Sequence, residues 1–290
     1  MSKMIDRLAP KRVSRSRAGD ILAFLFLLLF GLLMALPFVY AVSNSLKPMN
    51  ELWIFPPRFF PSHPTMTNFA DLFTLMEDSW IPMSRYIFNS LLITVAGTAG
   101  HIIIASLCAY PLAKYRFPGT GVTFKIIVTS LMFNSSVTAI PNYILMSRMH
   151  LVDTYWALIL PAVGGSLGLF LMKNFMQTNI PDALLESAEM DGAGEGTKFF
   201  RIVMPLVKPA WLTLIIFSVQ SLWGIGSTTM IYSEQLKTLP YALSQIQASG
   251  IARAGVSAAV GVFMMILPLT VFIVTQSNIM ETMSTAGIKE

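Results

Sequence analysis

Five carboxylates crowd one short stretch of the chain, and they are the residues best able to make specific polar contacts. Asp182, Glu186, Glu189, Asp191 and Glu195 lie within fourteen positions and make up a third of the 15 acidic residues. Carboxylates accept strong charge-assisted hydrogen bonds from cationic and backbone donors. The stretch is therefore a candidate contact site for a partner protein. The alternative is a charged helix that lies on a membrane surface without a partner.

The other chemically active residues do not suggest catalysis. Of the three histidines, only His101 lies in an apolar stretch, and no second histidine or carboxylate accompanies it there. Cys108 is the single cysteine, which excludes an internal disulfide and a multi-cysteine metal site. The glycine-rich run 192–198 lacks adjacent Gly-Lys-Ser/Thr and follows no predicted strand, so it does not resemble a phosphate-binding loop. We expect no catalytic residue, no metal site and no cofactor bound by this chain.

The composition indicates which class of protein contains the acidic stretch. Of the 290 residues 54% are hydrophobic and 12% are charged, whereas soluble domains carry about 25% charged residues. Too few charges remain to cover a soluble globule, and the chain is too apolar to be disordered. The sequence predicts an all-α polytopic membrane protein.

Six windows lack Asp, Glu, Lys and Arg and approach or exceed the about 20 residues that a membrane helix needs. These windows are 21–46, 86–113, 126–147, 154–172, 209–233 and 254–280. Small residues at 96–100 and 164–166 predict close helix packing in lipid. Prolines within the windows predict kinks at Pro37, Pro141, Pro161 and Pro268.

Lys and Arg predict the orientation. With a cytoplasmic N-terminus, 14 of the 20 basic residues lie inside and 6 outside, as the positive-inside rule requires. Both termini are then cytoplasmic. The predicted organisation is a basic N-terminal segment 1–20, a six-helix domain 21–280 with a cytoplasmic loop at about 173–205, and a cytoplasmic tail 281–290. The loops 47–85 and 234–253 lie outside. We expect short helical turns in the first and a re-entrant or short helical segment in the second.

The acidic stretch is predicted to fold as a helical hairpin. Asn179 can cap a first helix, Pro181 suits its first turn, and Asp182 favours the positive end of its dipole. Gly192 suits a left-handed C-cap, and a second helix starts near Thr197. The predicted apolar face of the first helix consists of Leu184, Leu185, Ala188 and Met190.

The spacing within this hairpin resembles the "EAA" loop of ABC importer permeases. That pattern is E-A-A, three residues, G, nine residues, I-x-L-P, and every spacing is met. Ser187 replaces the second-position Ala and Met204 replaces Leu. The string E-S-A-E-M-D-G-A resembles the carbohydrate branch. The matching positions are Glu186, Ser187, Ala188, Asp191, Gly192, Ala193, Ile202 and Pro205.

The resemblance extends over most of the chain. Segments 45–48, 113–119, 205–210 and 279–290 are similar to permeases of the maltose type. One departure lies at 223–226, where Trp-Gly-Ile-Gly stands in place of the frequent Trp-Asn.

The resemblance implies partners and residue roles. It implies a bacterial cell-membrane permease that pairs with a second, non-identical permease and with two ATPase subunits, which use ATP and magnesium. An extracytoplasmic solute-binding protein delivers the carbohydrate, and no nucleic acid is involved. Glu186 would anchor the hairpin in the ATPase, Gly192 would permit its turn, and Pro205 would begin the next crossing. Gln220 and Trp223 are candidates for the translocation path.

Three alternatives remain at this point. One is an ion-coupled secondary transporter, although the windows contain no ionisable residue except His101. A second is an ABC permease for a non-sugar solute such as a polyol or glycerol phosphate. The third is a purely structural membrane subunit. The sequence does not distinguish the solute or the type of cell envelope.

Overall fold

The computed structural model describes residues 17–77, 81–226, 229–248, 250 and 253–286, and every regular element among them is helical. A π-helical segment spans Lys198–Val203, and a 3-10 turn spans Glu234–Leu236. The helices are α1 Arg17–Ser45, α2 Met49–Leu52, α3 Thr67–Glu77, α4 Met83–Lys114, α5 Thr120–Ser130, α6 Ser135–Arg148, α7 Trp156–Val163, α8 Ser166–Asn179, α9 Asp182–Met190, α10 Glu195–Thr197, α11 Met204–Leu206, α12 Lys208–Trp223, α13 Leu239–Gln247 and α14 Ala254–Ala286.

Helix α4 is the centre of the bundle. It packs against α7, α8 and α12, while α14 packs against α12, α1 and α3. One buried apolar cluster surrounds the C-terminal part of α4, where Ala109 meets Met172, Met176 and Val203. A second cluster surrounds its N-terminal part, where Tyr86 lies with residues of α3, α13 and α14. The core therefore runs along α4 from end to end.

Helix α1 lies at the edge of the bundle, in contact with α14. Its apolar side chains are exposed on every side from Ile21 to Phe38. A helix that is apolar all round needs an apolar environment, and a bilayer supplies one. Of the predicted basic segment 1–20, residues 1–16 lie outside the described residues.

Four described helical stretches are long and apolar enough to cross a membrane, and a fifth counts if one sharply bent pair forms a single span. The four are Gly19–Ser45, Met83–Lys114, Trp156–Asn179 and Ala254–Gln276, and the bent pair joins Glu195–Leu206 to Lys208–Trp223 at 75°. A polytopic membrane protein is consistent with these helices. The count of six spans and the side of each terminus stay predictions.

The third window, 126–147, is not one continuous helix. It is divided between α5 and α6, of 11 and 14 residues, with a break after Ser130. Asn134 caps α6, because its side chain accepts a 3.0 Å hydrogen bond from the Ser136 N–H. Polar side chains that bond to the nearby backbone start and stop helices. The absence of charge in this window therefore did not guarantee an uninterrupted helix.

The fifth window, 209–233, is helical only as far as Trp223. Beyond it, Asp153 holds the chain in an extended turn by accepting hydrogen bonds from the N–H groups of Tyr232 and Ser233, at 2.9 and 2.8 Å. The fourth window instead continues past its predicted end, through Lys173 to Asn179. The helix of the sixth window, α14, likewise runs beyond 280 to Ala286. Residues 287–290 of the predicted tail lie outside the described residues.

The predicted outer loops contain short helices. Loop 47–85 contains α2 and α3, and loop 234–253 contains the 3-10 turn and α13. Glu51 is buried and accepts hydrogen bonds from the N–H groups of Ser62 and His63, at 2.8 and 3.0 Å. This carboxylate fixes the proline-rich segment against α2. The four prolines predicted to lie within helices do so.

A histidine wedged against glycines sets the separation of α4 and α8. A Cβ added to Gly168 would lie 2.0 Å from His101 Nε2, and one added to Gly165 would lie 2.6 Å from His101 Cε1. Among the described residues, that ring nitrogen is buried without a hydrogen-bond partner. His101 is therefore a packing residue at a close crossing of two helices, as small residues in membranes permit.

We expect Gly168→Ala to destabilise this crossing by about 1–3 kcal/mol, since overpacking forces side chains or backbone to move. Thermal unfolding of the purified protein in detergent measures it. Gly31→Ala is the matched control, because its added methyl meets nothing within 4 Å. Pairing Gly168→Ala with His101→Ala should restore much of the loss. Equal melting temperatures for both glycine variants would contradict the close crossing.

Candidate functional site

The acidic stretch forms the predicted hairpin, with one local difference at its start. Pro181 occupies the N-cap of α9 in an extended conformation, and Asp182 lies in the first turn. Asn179 does not cap α9, because it ends α8 and its amide donates to the Phe175 carbonyl. The rigid φ of Pro181, at the boundary between two helices, takes the place of a side-chain cap.

The end of α9 is the left-handed cap that the sequence predicted. Gly192 has φ +81. Its N–H donates to the Glu189 carbonyl and the Ala193 N–H donates to the Ala188 carbonyl, both at 2.9 Å. This pair of bonds is the Schellman motif, which favours glycine because a side chain at positive φ is strained.

An apolar contact and an ion pair attach α9 to the bundle. Leu185 is buried and joins the cluster that contains Ile180 and Phe199. Lys114 Nζ, at the end of α4, donates to Asp182 Oδ1 at 2.7 Å and also to the Ile180 carbonyl. The hydrogen bond and charge of Lys114 lower the pKa of the Asp182 carboxyl.

A buried amine holds the two legs of the hairpin together. Lys198 is 3% exposed and pairs with Glu189 on the first leg and Glu195 on the second, each at 2.9 Å. Tyr115 donates a 2.5 Å hydrogen bond to the other oxygen of Glu195. Three of the five clustered carboxylates are thus used within the fold. Lys198, Lys114 and Tyr115 were not among the predicted site residues, although the i,i+3 spacing of Glu195 and Lys198 was a usable signal.

The two remaining carboxylates face solvent. Glu186 and Asp191 are exposed, and neither has a side-chain partner in the part of the chain that the structure describes. Ser187 beside them is also exposed, and its hydroxyl donates to the Leu184 carbonyl. Ala188 and Ala193 are half-buried. The predicted site residues of α9 therefore share one accessible surface.

The predicted single apolar face of α9 is wrong, because its members point in different directions. Leu185 is buried, whereas Leu184 is exposed and Met190 is 88% exposed. Phe200, on the second leg, is exposed as well. Apolar groups thus flank the free carboxylates, which is the composition of a protein contact surface.

The second leg turns sharply where it joins α12. Ile202 is half-buried in the π-helical segment, and Pro205 is exposed at the start of α11. The axis bends by 75° between Leu206 and Lys208. Pro209 has no N–H, so it cannot continue the helical hydrogen bonds across the bend. The Trp211 indole N–H donates to the Met204 carbonyl there, at 3.1 Å. The hairpin is therefore set at a steep angle to α12.

The two translocation-path candidates differ in their surroundings. Trp223 is 6% exposed, and its indole N–H donates to the Met264 carbonyl of α14 at 3.0 Å. Gln220, one turn earlier, is exposed. The indole thus fastens α12 to α14, while the amide is the more accessible of the two.

Comparison with curated proteins gives transport permeases among the relatives of this chain. The chain is 33% identical over 222 residues to the polygalacturonan/rhamnogalacturonan transport system permease protein YtcP of Bacillus subtilis (strain 168), covering 75% of this chain and 73% of that protein. It is 27% identical over 267 residues to the arabinooligosaccharides transport system permease protein AraQ of the same organism, covering 91% and 94%. No family model matches the sequence.

Comparison with solved structures shows that the fold is shared. The crystal structure of a bacterial ABC transporter involved in the import of the acidic polysaccharide alginate matches with a TM-score of 0.74 at 22% identity, covering 92% of this chain and 99% of that one. A bacterial alginate ABC transporter in complex with an alginate pentasaccharide-bound periplasmic protein matches with a TM-score of 0.59 at 18% identity, covering 88% and 93%.

We expect Gly192→Ala to loosen the hairpin, because a side chain at φ +81 costs roughly 1–2 kcal/mol. Amide hydrogen exchange across 182–198 should quicken about 5- to 30-fold. Gly194→Ala is the matched control, since Gly194 has φ −70 and an added methyl would meet nothing within 4 Å. Equal exchange in the two variants would mean that the cap does not hold the hairpin.

Proposed function

The chain belongs to the permease subunits of carbohydrate ABC importers, and we propose that its hairpin couples an ATPase partner to the translocation of a sugar or oligosaccharide. Family membership removes the ion-coupled carrier from consideration. The observation that carries the coupling proposal is the division of charge in the hairpin. Carboxylates on both legs are locked to Lys198, while Glu186 and Asp191 remain free at the surface.

This division suits a mechanical lever. A part that transmits force must be rigid toward the bundle and available toward its driver. The buried Lys198 and the ion pair between Lys114 and Asp182 supply the rigidity. Glu186 would accept charge-assisted hydrogen bonds from the ATPase, with Met190 and Phe200 covering apolar area beside it. Gly192 would preserve the turn, and Pro205 would place the second leg before α12.

Movement of the hairpin would reach the bundle through two connections. Lys114 joins α9 to the end of α4, and the 75° bend joins the second leg to α12. Because α4 and α12 pack directly against each other, displacing the hairpin would shift both. Two discrete packings of these helices would open the path alternately inward and outward.

The proposed topology has six crossings with both termini in the cytoplasm of a bacterial cell. The 14:6 distribution of basic residues supports it. In this topology α5 and α6 together make the third crossing as a broken helix, which is tolerated where neighbours or water satisfy the freed backbone. The domain is 21–280, between the basic segment 1–20 and the tail 281–290.

The proposed assembly has a second, non-identical permease, two ATPase subunits that use ATP and magnesium, and an extracytoplasmic solute-binding protein. The names of the relatives support a carbohydrate substrate, since they are named for transport of polygalacturonan or rhamnogalacturonan and of arabinooligosaccharides. A polyol or glycerol phosphate is the alternative substrate class. In this scheme the chain carries no ATPase site of its own.

Glu186→Lys tests the lever. We expect about 10- to 100-fold less ATPase copurifying with the permease, since hydrogen bonds to charged groups contribute about 1.5–3 kcal/mol. Sugar uptake should fall with it, while the amount of permease in the membrane stays unchanged. Asp71→Lys reverses an exposed carboxylate on α3, far from the hairpin, and should leave ATPase copurification unaltered. Normal copurification and uptake in Glu186→Lys would refute the coupling role.

Cysteine labelling tests the topology. In a Cys108→Ser background, a membrane-impermeant maleimide applied to intact spheroplasts should label Phe55→Cys and leave Met190→Cys unlabelled. Both positions are highly exposed, at 92% and 88%. The pair Gly121→Cys and Met149→Cys tests whether α5 and α6 cross the membrane, with labelling expected only at Met149→Cys. Labelling of Met190→Cys but not of Phe55→Cys would overturn the orientation, and equal labelling of Gly121→Cys and Met149→Cys would overturn the third crossing.

A further inference from the structure

A polar pocket lies beside the hairpin, apart from its exposed carboxylates. It has a volume of about 650 Å³ and lies where the end of α4, the start of α5 and the last turns of α8 meet. Its charged side chains are Lys114, Arg116, Lys173 and Asp182. Three cations thus surround one anion.

Pairing leaves two of these cations uncompensated. Lys114 is neutralised by Asp182 at 2.7 Å. Lys173 Nζ donates to the neutral Gln177 amide oxygen at 2.6 Å and lies 3.9 Å from the centre of the Phe124 ring. Neither Lys173 nor Arg116 has a carboxylate within ion-pair distance among the described residues. The pocket therefore has a net charge of about +2 from these side chains at neutral pH.

A helix start adds to the positive potential. Thr120 and Gly121, in the first turn of α5, line the same pocket. The N-cap residue Gly119 has φ +96 and provides no side-chain cap. The Thr120 N–H donates to the Phe117 carbonyl at 3.2 Å, so the N–H groups of Gly121 and Val122 are those in the first turn that lack a partner within the helix, and the dipole favours an anion there.

The surface beside the pocket is apolar. Val122 and Ile126 lie one turn apart on α5 and are 64% and 65% exposed. Phe117 lines the pocket and is also partly exposed. A ligand seated here would meet cations at one end and an apolar helix face at the other.

We infer that this pocket binds the phosphate of an anionic phospholipid from the cytoplasmic leaflet, with Arg116 and Lys173 as its cationic contacts. The acyl chains would follow Val122 and Ile126. Basic pockets between membrane helices on the cytoplasmic side are suited to such headgroups. The inference rests on the proposed topology, which places this end of α4 in the cytoplasm. A soluble phosphate ester has the same charge without the chains.

Native mass spectrometry of the complete importer tests the site. The complex is titrated with phosphatidylglycerol, with phosphatidylcholine of identical acyl chains, and with glycerol 3-phosphate as a soluble competitor. We expect preferential retention of phosphatidylglycerol. Arg116→Gln together with Lys173→Gln should reduce that preference about fivefold for each cation removed. Lys125→Gln, an exposed cation on α5 that does not line the pocket, should retain it.

The charge-preserving pair Arg116→Lys with Lys173→Arg separates charge from folding and should bind as the unaltered protein does. Competition by glycerol 3-phosphate at similar concentration would support the phosphate site and assign it to a soluble ester. Equal retention of both lipids, or an equal loss in Lys125→Gln, would overturn the inference. Loss of bound ATPase in the double Gln variant, with lipid retention unchanged, would also overturn the inference, because the pocket would then be a contact for a protein. Lipid retention requires no transport, so these results are independent of the coupling tests.

Discussion

The amine of Lys198 is the constraint on which the hairpin depends. A buried ammonium is strongly unfavourable unless anions compensate it, and here Glu189 and Glu195 approach it from the two legs. Tyr115 bonds the second oxygen of Glu195 and so ties the pair to the end of α4. The turn at Gly192 brings the legs close enough to share one amine. Charge, turn and packing thus define a single rigid body.

The same ion pairs determine which acidic residues remain for a partner. Asp182, Glu189 and Glu195 pair with Lys114 or Lys198, so Glu186 and Asp191 are the acidic groups of the hairpin that remain free among the described residues. Exposed apolar side chains flank them because Leu185 alone of the leucines in α9 enters the core. The site is therefore a surface with a fixed orientation, set against α4 on one side and against α12 through a sharp bend on the other.

In the rest of the chain, the lipid environment determines which side chains are exposed and how the helices pack. Helix α1 leaves its apolar side chains outside the bundle, which is stable only in lipid. Inside the bundle, glycines opposite His101 and Leu222 allow backbones to approach closely, since helices in lipid associate by close packing and hydrogen bonding. Polar groups within α4 meet partners near its N-terminal end, where Asn89 donates to the carbonyls of Gln235 and Lys237 at 2.8 Å. Near the middle, the Thr94 and Thr98 hydroxyls are buried without partners among the described residues.

The sequence by itself determined the membrane class, the hairpin and its glycine cap. Each depends on composition or on residues that are close in the sequence, so it can be predicted without knowledge of the tertiary structure. The structure was needed to show that 126–147 is broken, that α12 ends at Trp223, and that Lys114 pairs with Asp182. The last two depend on contacts between distant segments, Asp153 with Ser233 and Lys114 with Asp182, whereas the break in 126–147 lies beside the local cap that Asn134 forms with Ser136. Hydropathy measures how apolar a stretch is, and it does not contain the partners that bend, end or anchor a helix.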